Sequence, residues 1–81
     1  MIVENFEMVY TPKELMAEIR HIMILKDIQM KELAVLMDTT QQNISNIFRN
    51  ANPKYSTLLQ ICEVLNLDMD IEFVDKKDDS E

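Results

Sequence analysis

The chain of 81 residues contains no glycine, one cysteine and one histidine. Without glycine it cannot form a glycine-rich phosphate-binding loop, which excludes the nucleotide enzymes that depend on one. The single cysteine, Cys62, excludes an internal disulfide. With one histidine, the chain also has no visible cluster of the nitrogen and sulfur ligands that zinc prefers. We therefore expect no cofactor and a reducing compartment.

Long apolar segments are also missing. The longest run, IMIL at 22–25, is far shorter than the roughly 20 residues that span a bilayer. The N-terminus lacks the basic-then-apolar pattern of a secretory signal. We expect a cytoplasmic protein with no membrane partner, made of one domain over 1–74 and an acidic flexible tail over 75–81. No nucleophile, base and oxyanion arrangement is apparent, so we do not expect an enzyme.

The net charge of −7 is unevenly distributed. Residues 11–55 carry six bases against five acids, whereas residues 56–81 carry two bases against eight acids. Binding to a polyanion normally draws on clustered lysine and arginine, so the total charge argues against nucleic acid. The middle of the chain is close to neutral, however, so the charge of this part does not argue against binding to nucleic acid.

Apolar spacing and helix start signals predict four helices. Thr11 and Glu14 have the spacing of a capping box around Pro12, which is typical of the first helical position. Apolar residues at helical spacing follow, with Thr40 as a further candidate N-cap. The predicted helices are 12–26, 30–37, 40–49, and a fourth that is marked by Leu58, Ile61, Cys62 and Leu65 and ends near Asn66.

Two segments alternate with a period of two, which is typical of β-strands. The signal is weak at 6–10 and strict at 69–74, where Met69, Ile71 and Phe73 share one face. The predicted fold class is therefore mainly α: a four-helix domain with short N- and C-terminal β-strands.

Only Asp38, Thr39 and the candidate N-cap Thr40 separate the second helix from the first turn of the third, which is the sequence form of a helix-turn-helix. Ala34 is small where the two helices would cross, and Asp38 is tolerated where the turn requires a left-handed backbone. On a helical wheel, Ile44 and Ile47 face inward. The opposite side carries Gln42, Ser45, Asn46 and Arg49, with Gln41 at the exposed N-terminal corner.

The stretch MKELAVLMDTTQQNISNIFRN resembles the helix-turn-helix of the phage repressor and Cro family, also called the xenobiotic-response-element family. The likeness extends from about Lys13 to Leu67, and its most specific tract is TTQQ at 39–42. Asp27 and Asp38 stand where the family usually has glycine. The resemblance implies that Gln41, Gln42 and Asn46 touch base edges in the major groove.

The chemistry of these side chains agrees with that role. An amide offers a donor and an acceptor together, so glutamine or asparagine can bind adenine N6 and N7 at once. We expect base contacts from Gln41, Gln42, Ser45 and Asn46. We expect phosphate contacts from Lys31, Arg49 and Lys54, which are basic, and from Thr40 at a helix start, where free backbone N–H groups can hold a phosphate. The resemblance adds Gln29, which stands next to the position where the family often has a glutamine that contacts phosphate.

These expectations describe a sequence-specific regulator, in the simplest case a repressor, that binds a double-stranded DNA operator. The alternative is a protein-binding module of the same fold, such as an antitoxin or antirepressor component. A domain this small offers one reading helix, so we expect a homodimer held by Met69, Ile71 and Phe73 of the terminal segment. Neither the operator nor a protein partner is specified by the sequence.

Overall fold

The computed structural model describes residues 11–76, which form four α-helices joined by short turns. The helices are α1 (Pro12–Leu25), α2 (Met30–Leu36), α3 (Gln41–Asn50) and α4 (Tyr55–Val64). The sequence analysis predicted α1, α2 and α3 to within one residue at each end, and it extended α4 two residues too far. None of the four has the length and apolar composition that a bilayer-spanning helix requires.

The start of α1 is the capping box that the sequence predicted. The hydroxyl of Thr11 accepts a hydrogen bond from the Glu14 backbone N–H at 3.1 Å, and the Glu14 carboxylate accepts one from the Thr11 backbone N–H at 3.1 Å. Pro12 occupies the first turn, where its missing N–H would have no intrahelical partner. These three residues fix where the helix begins.

One apolar core holds the four helices together. Met23, Leu33, Ile44 and Ile61 are fully shielded from solvent, and α2 packs against both α3 and α4. Burial raises the pKa of the Cys62 thiol, which keeps it protonated and unreactive at neutral pH. The buried side chains, one stripe from each helix, are Met16, Ile19, Met23, Leu33, Ala34, Met37, Ile44, Leu58, Ile61, Cys62 and Leu65.

The turn between α2 and α3 is closed by two backbone hydrogen bonds. Asp38 N–H donates to the Val35 carbonyl at 3.1 Å, and Thr39 N–H donates to the Ala34 carbonyl at 2.9 Å. This pair of bonds is a Schellman motif, which requires a left-handed residue, and Asp38 has φ of 56°. The prediction that Asp38 adopts this conformation is confirmed.

The same motif ends α1 at Asp27 and α4 at Asn66, whose φ angles are 60° and 61°. Asp and Asn tolerate the left-handed region better than other residues that have a Cβ, so they replace the missing glycine here. Ala51, at the end of α3, is also left-handed, with φ of 52°. Alanine has no side-chain hydrogen bond to offset the steric cost of this conformation.

The predicted C-terminal strand is wrong. Residues 69–74 follow α4 without forming a strand, because nothing within 11–76 pairs with them and a strand needs a ladder of hydrogen bonds to a neighbour. Met69 packs partly against the core, whereas Ile71 and Phe73 are exposed, Phe73 to 94%. The predicted strand at 6–10 lies outside the described residues, as does most of the predicted tail.

Replacing Ala51 with glycine should stabilise the protein by about 0.5–1 kcal/mol, because glycine removes the left-handed penalty of roughly 1–2 kcal/mol at some cost in backbone entropy. Ala17→Gly in the exposed middle of α1 is the matched control. It should destabilise by about 1 kcal/mol. Both variants change the unfolded chain equally, so equal shifts in a urea titration would contradict a strained Ala51.

Candidate nucleic-acid interface

The third helix has one buried and one open side. Ile44 is completely buried, and Ile47 and Phe48 are half-buried against the core. Gln41 and Gln42 are exposed at the N-terminal end. The predicted inward side is confirmed, and Gln42 and Arg49 on the predicted outward side are exposed, whereas Ser45 and Asn46 are only half-buried. The helix carries no acidic residue.

The start of α3 is fixed by Thr40. Its hydroxyl oxygen accepts a hydrogen bond from the Asn43 backbone N–H at 3.0 Å, as the sequence predicted. One residue earlier, the Thr39 hydroxyl accepts from the Asn43 side-chain amide, also at 3.0 Å. Asn43 is therefore anchored to the turn by its backbone and its side chain, which ties the orientation of α3 to the turn.

Three polar side chains on the open side are linked by hydrogen bonds. The Asn46 carbonyl oxygen, Oδ1, accepts from the Gln42 amide at 3.2 Å and from the Arg49 guanidinium. Gln42, Asn46 and Arg49 lie three or four residues apart, which is the spacing at which helical side chains meet. We call these three residues the amide relay.

The amide relay keeps a defined set of unpaired polar atoms. Within residues 11–76, the Oε1 acceptor of Gln42 has no hydrogen-bond partner, and neither does the Nδ2 amide group of Asn46. Gln42 uses one of its two amide hydrogens, so it retains a donor and an acceptor side by side. Gln41 and Ser45 make no side-chain hydrogen bond in this region, and Ser45 is half-buried.

The predicted phosphate contacts are dispersed over four segments of the chain. Gln29 and Lys31 lie at the start of α2, where the Gln29 backbone N–H already donates to the Glu32 carboxylate at 2.8 Å. Thr40 begins α3, Arg49 lies in its last turn, and Lys54 immediately precedes α4. All five residues are exposed: Gln29, Lys31, Thr40, Arg49 and Lys54.

A polar groove brings one predicted base contact and one predicted phosphate contact together. Asn46 and Lys54 both line this groove, which has a volume of about 330 Å³ and lies between α3 and the loop before α4. Asn50 and Asn52 line it as well. Sequence analysis missed these two asparagines, although the run of amides in the loop sequence NANP was a usable signal.

Within residues 11–76, no three histidine, cysteine, aspartate or glutamate side chains come together in a way that could hold a metal ion. The site is instead built from neutral amides, hydroxyls and scattered cations, centred on a helix that is separated from the end of α2 by four residues. A short turn, a buried small residue at the crossing and an open polar second helix define a helix-turn-helix domain.

Comparisons with known proteins agree with this class. A family model described as helix-turn-helix matches residues 19–71. The chain therefore belongs to the xenobiotic-response-element family of DNA-binding helix-turn-helix regulators. A comparison with curated proteins gives no match.

Three similar solved structures are HipB chains. A complex of HipB with O1 and O2 has a TM-score of 0.73 and 26% identity, covering 84% of this chain and 100% of the HipB chain. A complex with an O4 20mer has a TM-score of 0.74 and 25% identity, with 86% and 100% coverage. A serine-to-alanine HipB variant with an O2 20mer has a TM-score of 0.75 and 25% identity, with 88% and 100% coverage.

Removing the N-cap of α3 should destabilise the folded protein. We expect Thr40→Ala to lower the free energy of unfolding by about 1 kcal/mol, because the Asn43 N–H loses its acceptor. Ser56→Ala, at an exposed position in α4, is the control and should change stability by less than about 0.5 kcal/mol. Chemical denaturation measures both, and equal effects would contradict the assigned cap.

Proposed function

We propose that the protein is a sequence-specific repressor that inserts α3 into the major groove of a DNA operator. The observation that carries this proposal is the amide relay, which holds unpaired donors and acceptors on the open side of the second helix of a helix-turn-helix. DNA as the partner is supported by membership of a family of DNA-binding regulators and by the likeness to HipB, whose solved structures are complexes with O1 and O2 and with O4 and O2 20mers.

Gln42 is the residue best suited to read adenine. It retains an adjacent donor and acceptor, which match N7 and the N6 amino group of that base. Its bond to Asn46 restrains the side chain before DNA arrives, so less rotamer freedom is lost on binding. A bidentate contact of this kind discriminates against the wrong base by about 1–3 kcal/mol.

Asn46 has a different role in this proposal. Its carbonyl oxygen is already engaged twice, so it presents amide donors to a base acceptor such as guanine O6 or N7 or thymine O4. Gln41 and Ser45 complete the set of proposed base contacts. Ser45 is half-buried, which limits it to the edge of the contact area.

The proposed phosphate contacts surround these bases. Arg49 uses one of its five N–H donors on Asn46, which leaves the others for a phosphate oxygen. Lys54 lies across the polar groove from Asn46. Thr40 can donate its hydroxyl proton to phosphate while its oxygen still accepts from Asn43, and Gln29 and Lys31 add contacts at the start of α2.

Repression is the simplest outcome of such binding. A bound domain blocks other proteins from the same stretch of DNA by occupying it, whereas activation needs a further productive contact with the transcription machinery. Two half-sites one helical turn apart, about 34 Å, would increase affinity if the protein is a dimer. We propose that Ile71 and Phe73, both exposed, contribute to that dimer together with Met69.

Selection from a randomised DNA pool tests the reading residues. Gln42→Ala should relax the preference at one position of each half-site, because that base loses its bidentate partner. Arg49→Ala should weaken binding to all sequences about equally, since phosphates carry no sequence information. Gln60→Ala, an exposed glutamine on α4, is the matched control and should retain the parent preference.

The pool experiment also separates repressor from protein-binding module. A sequence enriched by the parent protein and lost with Gln42→Ala supports operator recognition. The absence of any enriched sequence at low salt would contradict the proposal and favour the antitoxin or antirepressor alternative.

Light scattering at micromolar concentration tests the dimer. We expect the parent protein to have the mass of two chains, and the double variant Ile71→Asp and Phe73→Asp to have the mass of one, because charges replace its apolar contacts. The control is Ile24→Asp and Leu25→Asp, which changes two apolar residues of α1 that are also more than half exposed. A monomeric parent, or a dimeric Ile71 and Phe73 variant, would contradict this interface.

A further inference from the structure

A groove between α1 and the C-terminal end of α3 has an apolar floor. It has a volume of about 740 Å³, and Met16, Ala17, Met30 and Phe48 form much of its lining. Phe48 is only half-buried there, so part of an aromatic ring faces solvent. The groove is large enough to accept several side chains from another segment.

The edge of the same groove is basic. Lys13, Arg20 and Arg49 line it, and no acidic side chain does. Within residues 11–76, neither Lys13 nor Arg20 has an ion-pair partner. The guanidinium of Arg49 donates a hydrogen bond to Asn46 within the amide relay, so it is already engaged. Two cations of α1 therefore remain to attract an acidic segment.

The segment after α4 has the complementary composition. Over 68–75, which we call the arm, it carries four acidic residues, Asp68, Asp70, Glu72 and Asp75. Its apolar Phe73 and Val74 are 94% and 77% exposed, and Ile71 is 54% exposed. Apolar side chains this open, next to unpaired acids, indicate a surface that has a partner in the assembled protein.

We propose that the arm of a second copy of this chain occupies the groove between α1 and α3. Ile71 and Phe73 cover the apolar floor next to Phe48, and Asp70 and Glu72 pair with Lys13 and Arg20. The inference rests on the proposed dimer and specifies where each arm binds.

Charge and position favour the arm of a second copy over other segments. The arm carries four acids, whereas residues 1–10 carry two, Glu4 and Glu7. The arm of the same chain does not line the groove. Exchange of two arms between two grooves is self-complementary, which is the requirement for a closed twofold dimer.

The proposed base contacts lie outside this groove. None of Gln41, Gln42, Ser45 and Asn46 lines it. Arg49, a proposed phosphate contact, does line the groove, but its guanidinium donates to Asn46 on the open side of α3. An arm bound in the groove therefore leaves the proposed base contacts accessible, and dimer formation and DNA recognition are compatible.

Disulfide cross-linking between two differently tagged full-length variants tests where the arm binds. Phe73→Cys on one chain and Ala17→Cys on the other should give a mixed covalent dimer under mild oxidation. Leu59→Cys, exposed on α4, replaces Ala17→Cys in the control and should not cross-link. The native Cys62 is buried and present in every sample, so the parent protein measures the background.

Three cross-linking outcomes would overturn the proposal. In the first, Phe73→Cys links mainly to itself, which would mean that the arms pair with each other. In the second, a chain carrying both cysteines closes on itself as a monomer. In the third, Ala17→Cys never links to the arm, so another segment, such as residues 1–10, covers the groove.

Charge reversal gives an independent measurement. Arg20→Glu should raise the dimer dissociation constant about tenfold, and adding Glu72→Arg in the same chain should restore it, because exchanged arms re-create the pair reciprocally. Lys26→Glu, an exposed base outside the groove, is the control and should leave the constant within about threefold. Loss without rescue would contradict the pairing.

Pool selection distinguishes a failure of this inference from a failure of the proposed function. If operator half-sites are enriched and the parent protein is dimeric but the cross-link does not form, only the proposed binding site of the arm is wrong. If the parent protein is monomeric, the proposed dimer does not form, and the arm does not bind a second copy of the chain.

Discussion

The structure depends on the backbone conformation of Asp38. Its left-handed φ lets Thr39 N–H reach back to the Ala34 carbonyl, which ends α2 and directs the chain into α3 three residues later. The hydroxyls of Thr39 and Thr40 then hold Asn43, so the turn and the first turn of α3 form one hydrogen-bonded unit. Ile44 enters the core from this unit and fixes the rotation of α3. Which side chains face outward follows from that rotation.

The outward side chains restrain one another in turn. Asn46 lies at the centre, where it accepts from Gln42 and from Arg49. A proposed base contact is thereby linked to a proposed phosphate contact. A change at Asn46 would alter both neighbours, so single substitutions in the amide relay should not be additive. The arrangement matches the general need for side chains that are already placed before the partner binds.

Local signals in the sequence were sufficient for most of the fold. Helical periodicity located the four helices, and the capping residues Thr11 and Thr40 located two of their starts. Interactions between segments were harder to predict. Residues 69–74 alternate as a strand would, yet alternation cannot supply a pairing partner. The apolar spacing of α1 predicts an inward stripe of Leu15, Ile19, Ile22 and Met23. In the structure Met16 is buried instead of Leu15, because the rotation of a helix depends on which neighbours pack against it.

For the candidate site, too, the residues could be predicted from the sequence but the contacts between them could not. Its residues followed from the wheel of α3 and from a family resemblance, since both depend on positions along one helix. The bonds of the amide relay and the groove that Asn52 shares with Asn46 could not be predicted, because they depend on side-chain rotamers and on the path of a loop.

The proposed base contacts on α3 are all uncharged, which has a consequence for the thermodynamics of DNA binding. Amide contacts to bases displace water but release no condensed counterions, whereas each lysine or arginine at a phosphate releases about one. With Lys31, Arg49 and Lys54 as the cations of the proposed interface, about three ions are released per subunit, or about six for the proposed dimer. The logarithm of the dimer's affinity should therefore fall with the logarithm of the salt concentration at a slope of about −5, against about −3 for a single subunit. The amide contacts to bases add no ion release, so the base-dependent part of the binding free energy should persist at salt concentrations where nonspecific adsorption to the genome is already weak.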